Sequence, residues 1–217
     1  MILKKIYFFI KTIYVIIIYR FSAFKRYSGL LLTVIFKRPK IILEIGVYKG
    51  KRAKQMIEAA KIFNSNIKYY GFDLFENFYL EKNILKKEYS KKPDNFKTIK
   101  KKLSKDCNIN LYKGFTNKTL PKFLKKNIKP DIVFIDGGHS IDTIKIDWKY
   151  ISQCMNKETI VIFDDYYSGN KTLIKKYGCN NLINTISSKY KVEYLPTKDF
   201  IPKDKVKIQL IKVSRYN

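Results

Sequence analysis

Acidic residues follow two apolar runs of the sequence, at positions that could bring three carboxylates together. Asp136 follows the run Ile132 to Ile135, and Asp164 and Asp165 follow the run Thr159 to Phe163. If the runs are parallel strands, their carboxyl ends meet at one edge of a sheet. Carboxylates so close together repel one another unless a cation or a substrate compensates them. Their oxygens suit Mg²⁺ or Ca²⁺, whereas helix capping is the simpler alternative for the Asp164-Asp165 pair.

His139 is the only histidine in the chain and stands three residues after Asp136. An unperturbed imidazole has a pKa of about 6.5, which suits proton removal near neutral pH. We therefore predict that His139 is a general base. The alternative is a structural histidine, which caps the helix predicted to begin near Ser140 or hydrogen-bonds to the acidic residues.

A second chemical motif lies near the start of the predicted sheet, where an apolar run ends in Glu44-Ile45-Gly46-Val47-Tyr48-Lys49-Gly50. Glycine lets the backbone approach a ligand closely because it has no Cβ and tolerates positive φ. The carboxylate of Glu44 could hold a cationic group, and the following helix offers N–H donors at its N-terminus. The motif lacks two glycines of the dinucleotide fingerprint G-x-G-x-x-G, so a dehydrogenase is the weaker interpretation.

Asp73 ends the next predicted strand and would lie beside this glycine turn. A carboxylate there can accept hydrogen bonds from both hydroxyls of a ribose. Taken alone, an aspartate that closes a strand is more often a turn or capping residue.

Alternating short β-branched runs and longer Lys-containing amphipathic stretches must position these residues, and this alternation indicates βαβ units and a parallel sheet. We predict a doubly wound α/β fold whose mostly parallel seven-stranded sheet ends in an antiparallel hairpin. The predicted strands are Ile41–Ile45, Ile67–Phe72, Ile109–Tyr112, Ile132–Ile135, Thr159–Phe163, Val192–Leu195 and Val206–Val213. The predicted helices are Lys51–Phe63, Asn95–Leu103, Lys118–Lys125, Ser140–Cys154 and Lys171–Lys189.

These residues resemble the class I S-adenosylmethionine-dependent methyltransferases, in particular a family with sugar and macrolide O-methyltransferases and cephalosporin hydroxylase-like members. The resemblance covers roughly residues 40–167 and is most specific in Asp136-Gly137-Gly138-His139 and Asp164-Asp165-Tyr166. It implies an O-methyltransferase of a small-molecule or sugar hydroxyl. Some family members carry an acid in the position of Gly138, so this chain departs from them there.

The resemblance also assigns residues to the cofactor and to a metal. Mg²⁺ would bind the acceptor hydroxyl and lower its pKa. The implied cofactor-binding residues are Glu44, Gly46, Gly50, Asp73, Phe115, Thr116 and Asp136, with Phe115 or Thr116 at the adenine. The implied metal ligands are Asp136, Asp164 and Asp165. The predicted catalytic residues are Asp136 and His139, the latter from the pKa argument above and not from the resemblance.

The domain organisation follows from length and composition. We predict an N-terminal apolar and basic helical extension, residues 1–38, and a methyltransferase domain, residues 39–217, with an insertion over the active-site edge at about residues 74–104. The apolar run at residues 6–19 is too short for a clean membrane span. It predicts either a helix packed on the domain or an anchor at an anionic membrane surface.

The formal net charge of +27 invites polyanionic partners, but only five of the 45 basic residues are arginine. Arginine is the residue that grips phosphate and guanine in bidentate fashion, so a nucleic-acid methyltransferase is the weaker alternative. A non-catalytic membrane-associated binding protein on the same fold is the other alternative. Three unpaired cysteines indicate reduced thiols and a cytoplasmic location, at most peripheral to the inner face of the membrane.

Overall fold

The fold was analysed in a computed structural model of the 217-residue chain. It describes residues 25–79 and 91–216, together with residues 6, 7, 9, 10, 13, 14 and 17 of the N-terminal segment. Part of the predicted N-terminal extension and part of the predicted insertion at residues 74–104 lie outside the described residues.

Seven strands of the described chain form one sheet. The strands are β1 Ile41–Ile45, β2 Lys68–Asp73, β3 Asn108–Lys113, β4 Ile132–Ile135, β5 Ile160–Ser168, β6 Lys191–Ile201 and β7 Val206–Ser214. Their order in the sheet is β3-β2-β1-β4-β5-β7-β6. Strands β1 to β5 run parallel, and β7 pairs antiparallel with both β5 and β6. The predicted mostly parallel sheet with an antiparallel C-terminal hairpin is therefore confirmed.

Helices cover both faces of the sheet, as the alternating sequence pattern predicts. They are α1 Tyr27–Lys37, α2 Lys51–Lys61, α3 Phe96–Leu103, α4 Thr116–Leu124, α5 Ile141–Cys154, α6 Lys171–Ile174 and α7 Asn180–Ile186, with a 3₁₀ turn at Phe75–Tyr79. Helices α1, α2 and α3 contribute to the apolar core on one face, whereas α4, α5 and α7 contribute to the core on the other. The strand order reverses between β1 and β4, and parallel sheets bind ligands at such a point.

Helix α1 belongs to the core, although it lies in the predicted N-terminal extension. Leu30, Val34 and Ile35 are fully buried against the same face of the sheet as α2. The packed domain therefore begins before residue 39. Within the described part of the chain, no helix combines the length and apolar character that a membrane crossing requires.

The predicted helix Lys171–Lys189 is interrupted, and the pieces α6 and α7 flank Gly178. Gly178 has a φ of 87°, and a Cβ at this position would lie 2.5 Å from the carbonyl oxygen of Asp165. Close tertiary approach thus breaks a helix that the local periodicity favours. Strand β5 also differs, because it continues five residues beyond Phe163 through the acidic pair to Ser168.

Candidate functional site

A cleft of about 800 Å³ opens at the carboxyl edge of the parallel strands. Its volume lies within the range of small-molecule sites, roughly 300–1,000 Å³. It has a β1–β3 side, formed by Glu44, Gly46, Asp73, Phe115 and Thr116, and a β4–β5 side, formed by Asp136, His139, Asp165 and Arg26. Eight of the predicted site residues thus line one cleft. Gly50 and Asp164 are the two that do not.

Gly46 allows the first βα turn to cross the end of β4. It has a φ of 89°, and a Cβ there would lie 1.9 Å from the carbonyl oxygen of Asp136. Gly50 also has a positive φ, of 69°, and precedes helix α2 without a side-chain cap on its N–H groups. The N-terminal N–H groups of α2 therefore receive no hydrogen bond from the N-cap side chain.

Glu44 lies at the bottom of the β1–β3 side and is only 1% exposed. Its carboxylate accepts a hydrogen bond from the hydroxyl of Tyr69. Burial raises the pKa of Glu44 to about 8, although the Tyr69 hydrogen bond opposes the rise. A cationic ligand group would stabilise the ionised form of this carboxyl.

Asp73 joins the end of β2 to the glycine turn. Its Oδ2 accepts a hydrogen bond from the backbone N–H of Tyr48 at 2.7 Å, and Oδ1 accepts one from Phe75 at 3.2 Å. Burial raises the pKa of Asp73, and these backbone donors partly oppose the rise. Asp73 therefore stabilises the turn through these backbone hydrogen bonds. Because the residue also lines the cleft, this interpretation and a ligand contact are compatible.

Phe115 and Thr116 follow β3 and begin helix α4. Gly114 precedes them with a φ of 127°, and Phe115 is the N-cap residue of α4. Both side chains line the same cleft as Asp73. Their contact with an adenine stays a prediction.

Strand β5 contains a bulge at the acidic pair. As a result, the consecutive side chains of Asp164 and Asp165 contact different partners. The pairing of β5 with β7 shifts between Phe163 and Tyr166, and Asp165 has a φ of 61°. Bulges and positive φ in a non-glycine residue are concentrated at functional sites. Asp164 turns inward beneath the cleft, with a side chain that is 1% exposed, while Asp165 faces the cleft.

His139 and Asp165 form a hydrogen-bonded pair between Nδ1 of the ring and Oδ2 of the carboxylate. Burial alone would lower the pKa of His139, but Asp165 and the neighbouring carboxylates raise it to about 9. The pKa of Asp165 is lowered, since His139 outweighs the effect of burial. The backbone of Gly178 holds both residues, because its N–H donates to the His139 carbonyl at 2.8 Å and it packs on Asp165.

Asp136 completes the carboxylates on the β4–β5 side. Its pKa is raised well above the usual value by burial and by the nearby carboxylates Asp164 and Asp165. The three acidic residues are electrostatic neighbours, but their partners differ. Asp164 is paired with Arg26 and Asp165 with His139, whereas burial and these two carboxylates favour the protonated form of Asp136.

Arg26 and Tyr27 are the functional residues that sequence reasoning missed. The guanidinium of Arg26 is buried beside the cleft, where Nε and Nη2 donate to the two oxygens of Asp164 at 2.8 and 2.9 Å. The hydroxyl of Tyr27 also donates to Asp164, at 2.8 Å. The one available signal was that arginine is rare in this Lys-rich chain, because a bidentate pair is a role that lysine cannot fill.

The predicted metal ligands do not fit a divalent cation in this arrangement. Both oxygens of Asp164 accept hydrogen bonds from Arg26, and Asp165 is paired with His139. Mg²⁺ requires about six oxygen ligands in near-octahedral geometry. In the part of the chain that the structure describes, no three His, Cys, Asp or Glu side chains are arranged to hold a metal ion.

Solved structures with the same fold include methyltransferases that act on different atoms. The O-methyltransferase from Bacillus cereus, in complex with S-adenosylhomocysteine, has a TM-score of 0.61 at 14% identity and covers 87% of this chain and 80% of its own. The O-methyltransferase TomG from Streptomyces achromogenes, in complex with S-adenosylmethionine, has a TM-score of 0.59 at 14% identity and covers 86% of this chain and 78% of its own. The N-methyltransferase NodS from Bradyrhizobium japonicum, in complex with S-adenosylhomocysteine, has a TM-score of 0.60 at 10% identity and covers 89% of this chain and 88% of its own.

These likenesses concern the fold, since all three identities are low. A search of curated proteins gives no match. The family of methyltransferase domains matches residues 43–166, which is more than half of the chain. That range begins in β1, contains the glycine turn and ends just after the acidic pair of β5. The resemblance read from the sequence is thereby confirmed, and the chain belongs to the methyltransferase domain family, as an enzyme of the class I methyltransferase fold.

Proposed function

We propose that this protein transfers a methyl group from S-adenosylmethionine to a hydroxyl of a small molecule or sugar. The observation that carries the proposal is the His139–Asp165 pair, which lies in the same cleft as the glycine turn. The fold is common to O- and N-methyltransferases, so it does not decide the acceptor atom. A histidine oriented by a carboxylate favours a hydroxyl, because a hydroxyl must lose its proton.

The β1–β3 side has the features that S-adenosylmethionine requires. The Gly46 turn lines the cleft and packs directly on the end of β4, and the buried Glu44 carboxylate can compensate the cationic amino group of the ligand. Asp73 would accept the ribose hydroxyls, and Phe115 or Thr116 would contact the adenine. The O-methyltransferase and NodS structures hold this cofactor or its product, which supports the same ligand here.

The β4–β5 side would prepare the acceptor. When bound, S-adenosylmethionine supplies the methyl group: the oxygen–carbon bond forms as the carbon–sulfur bond breaks, and the sulfonium becomes a thioether. The Nδ1 of His139 is held by Asp165, so its Nε2 takes the hydroxyl proton. A pKa of about 9 makes His139 protonated at neutral pH without ligands. A sulfonium nearby would favour the neutral ring.

The lining of the cleft also includes apolar and basic side chains beyond the residues described above. Tyr167, Ile201 and Ile208 contribute apolar surface, while Lys91 and Lys203 contribute positive charge. This combination favours an acceptor that carries an acidic or phosphate group beside an apolar or sugar-ring face. An acidic or phosphorylated glycan carrier fits these requirements.

Calorimetric titration with S-adenosylmethionine tests the cofactor, and mass spectrometry of a hydroxyl-acceptor panel, beginning with acidic sugars, tests the reaction. We expect micromolar cofactor binding and a mass gain of one methyl group on an accepted substrate. Folded wild-type protein without cofactor affinity would contradict the proposal. Cofactor binding without methylation of any hydroxyl, together with methylation of an amine, would replace the O-methyltransferase by an N-methyltransferase.

We further propose that the N-terminal segment docks on an anionic membrane surface. Its described residues are helical, and their side chains are 38–65% exposed; they are Ile6, Tyr7, Phe9, Ile10, Ile13, Tyr14 and Ile17. Basic residues precede and follow this apolar segment in the sequence, which complements lipid phosphates.

Sedimentation with vesicles tests the docking proposal. We expect binding to vesicles that contain phosphatidylserine, weaker binding to neutral vesicles, and loss of binding in Phe9→Glu/Ile13→Glu. Phe36→Glu is the matched control, since Phe36 is 64% exposed but lies in helix α1, outside the N-terminal apolar segment. Equal binding by the double variant, or a dimer that the double variant dissociates, would contradict the membrane assignment.

A further inference from the structure

Arg26 connects the start of helix α1 to the acidic end of β5. In addition to its two bonds to Asp164, its Nη1 donates to Oδ2 of Asp199 at 2.6 Å, and its backbone N–H donates to Oδ1 at 3.2 Å. The residue is only 7% exposed. Bidentate arginine–carboxylate pairs of this kind are strong and fix the positions of both groups.

The carboxylate of Asp164 has little capacity left for another ligand. Its Oδ1 also accepts the backbone N–H of Asp165 at 2.8 Å, and its Oδ2 accepts the hydroxyl of Tyr27 at 2.8 Å. A carboxylate has about four lone-pair positions, and two donors reach each oxygen here. A metal ion could bind Asp164 only after Arg26 had moved away.

The ring of Tyr27 keeps Arg26 in this position. The guanidinium carbon of Arg26 lies 4.3 Å from the ring centroid, and that of Arg52 lies 3.6 Å from the same centroid. Arginine is suited to such stacking because its charge is planar and delocalised. The arginine is thus held by three carboxylate or phenol groups and one aromatic face, as a fixed part of the site.

Fixed cations pair with two of the three carboxylates at the sheet edge. Asp164 and Asp199 share Arg26, and Asp165 has His139. Burial and its two acidic neighbours raise the pKa of Asp136, which favours its neutral form. The electrostatic task of a divalent cation, which is to let several carboxylates exist close together, is therefore carried out by side chains.

We propose that the Arg26 guanidinium is the resident cation of this active site, occupies the place at Asp164 that a divalent metal ion would take, and makes the methyltransferase metal-independent. Arg26 acts as a positioning residue, because it holds Asp164 and, through the backbone N–H of Asp165, the carboxylate that orients His139. The catalytic meaning rests on the proposed function, whereas the statement about metal binding does not.

Mn²⁺ binding followed by electron paramagnetic resonance tests the proposal on the full chain without any turnover. We expect no site tighter than about 1 mM in the wild type, the weak end of protein cation sites. Arg26→Met should gain one Mn²⁺ site and a rise in melting temperature with Mn²⁺. Both gains should be lost when Asp164→Asn is added, and Arg38→Met, an exposed arginine outside the cleft, should behave as the wild type.

Arg26→Met removes the cation from two buried carboxylates and could therefore prevent folding. A second variant keeps the proposal testable in that case. Arg26→Met/Asp199→Asn keeps Asp164 and removes the other carboxylate, so it should fold and show the same Mn²⁺ gain. A wild-type Mn²⁺ site that Asp164→Asn abolishes would overturn the proposal, as would a folded Arg26 variant that binds no Mn²⁺. Titration with S-adenosylmethionine in parallel keeps the proposed function separate, because its failure leaves the Mn²⁺ results interpretable.

Discussion

The two sides of the cleft are built from contacts of different range. On the β1–β3 side, Glu44, Gly46 and Asp73 lie within one strand–turn–helix–strand unit, and Asp73 bonds to Tyr48, 25 residues away. On the β4–β5 side, Arg26 is 138 residues from Asp164 and 173 from Asp199. The first side is thus a local motif, whereas the second combines the His139–Asp165 pair, 26 residues apart, with Arg26 from a distant part of the chain. Their variants should therefore fail in different ways.

The largest effect is expected at Gly46, where the backbone itself forms the site. Gly46→Val should lower the free energy of unfolding by more than about 4 kcal/mol and abolish S-adenosylmethionine binding, because the side chain overlaps the Asp136 carbonyl. Chemical denaturation and calorimetry measure both. Gly114→Ala is the control: its φ is also positive, but the nearest atom to a Cβ lies at 3.7 Å. Equal losses in the two variants would show that conformational strain rather than crowding is responsible.

Arg26→Met should be the next most damaging change, and it should act on the distant contacts of the β4–β5 side. Removing one partner of a buried ion pair costs about 3–5 kcal/mol of unfolding free energy. Tyr27→Phe removes one hydrogen bond to Asp164 and should cost only about 1 kcal/mol. Denaturation curves give both values. A loss below about 1 kcal/mol in Arg26→Met would mean that the long-range network contributes little to folding.

His139→Ala should separate the two sides functionally. Methyl transfer should fall about 100-fold or more, as for the loss of a general base, while S-adenosylmethionine affinity remains near the wild-type value. Asp142→Asn is the control, since it removes an exposed acid three residues away on helix α5. Single-turnover rates with a validated acceptor provide the measurement. A His139→Ala enzyme with an unchanged rate would assign His139 to structure alone.

Asp73→Asn should weaken S-adenosylmethionine binding about tenfold, which corresponds to about 1.4 kcal/mol. The amide keeps the size of the side chain but loses the charge and one acceptor oxygen. Asp131→Asn is a matched control at the opposite edge of the sheet, where Oδ2 accepts the N–H groups of Lys40 and Ile41 at 2.8 Å. The control should lose stability without losing cofactor affinity. Equal affinities for Asp73→Asn and the wild type would leave Asp73 only its turn role.

The smallest effect is a pH dependence of stability on the β4–β5 side. The pKa of His139 is raised from 6.5 to about 9 in the folded chain, so the protonated ring stabilises the fold. This contribution is fully present below pH 6.5 and is lost as pH rises through about 9. The melting temperature of His139→Ala should therefore lie further below that of the wild type at pH 6 than at pH 10. A difference that does not change with pH would contradict the assigned ion pair.

Most of the fold and eight of the residues that line the cleft could be predicted from the sequence, because they follow from short-range patterns, whereas the contacts of Arg26 with Asp164 and Asp199 could not. Strand β1 and its glycine turn follow from an apolar run and a glycine, which the backbone geometry requires there. Helix α6 and helix α7 were predicted as one helix, since the close approach of Gly178 to Asp165 is not visible in local periodicity. Likewise, β5 was predicted to end before the charged Asp164. The strand continues because Arg26, 138 residues earlier in the chain, binds the buried carboxylate.

The position of Arg26 determines where the chain can be shortened. A chain that begins at Lys25 would lose the exposed apolar residues that are described in the N-terminal segment but keep Arg26, Tyr27 and the buried face of helix α1. A chain that begins at residue 39, the boundary suggested by composition, would lack the fully buried Val34 and Ile35 and so expose the core that they cover. It would also leave Asp164 and Asp199 without Arg26. A truncation intended to raise the solubility of this enzyme should therefore end before Arg26, because it then removes exposed apolar side chains and keeps the site intact.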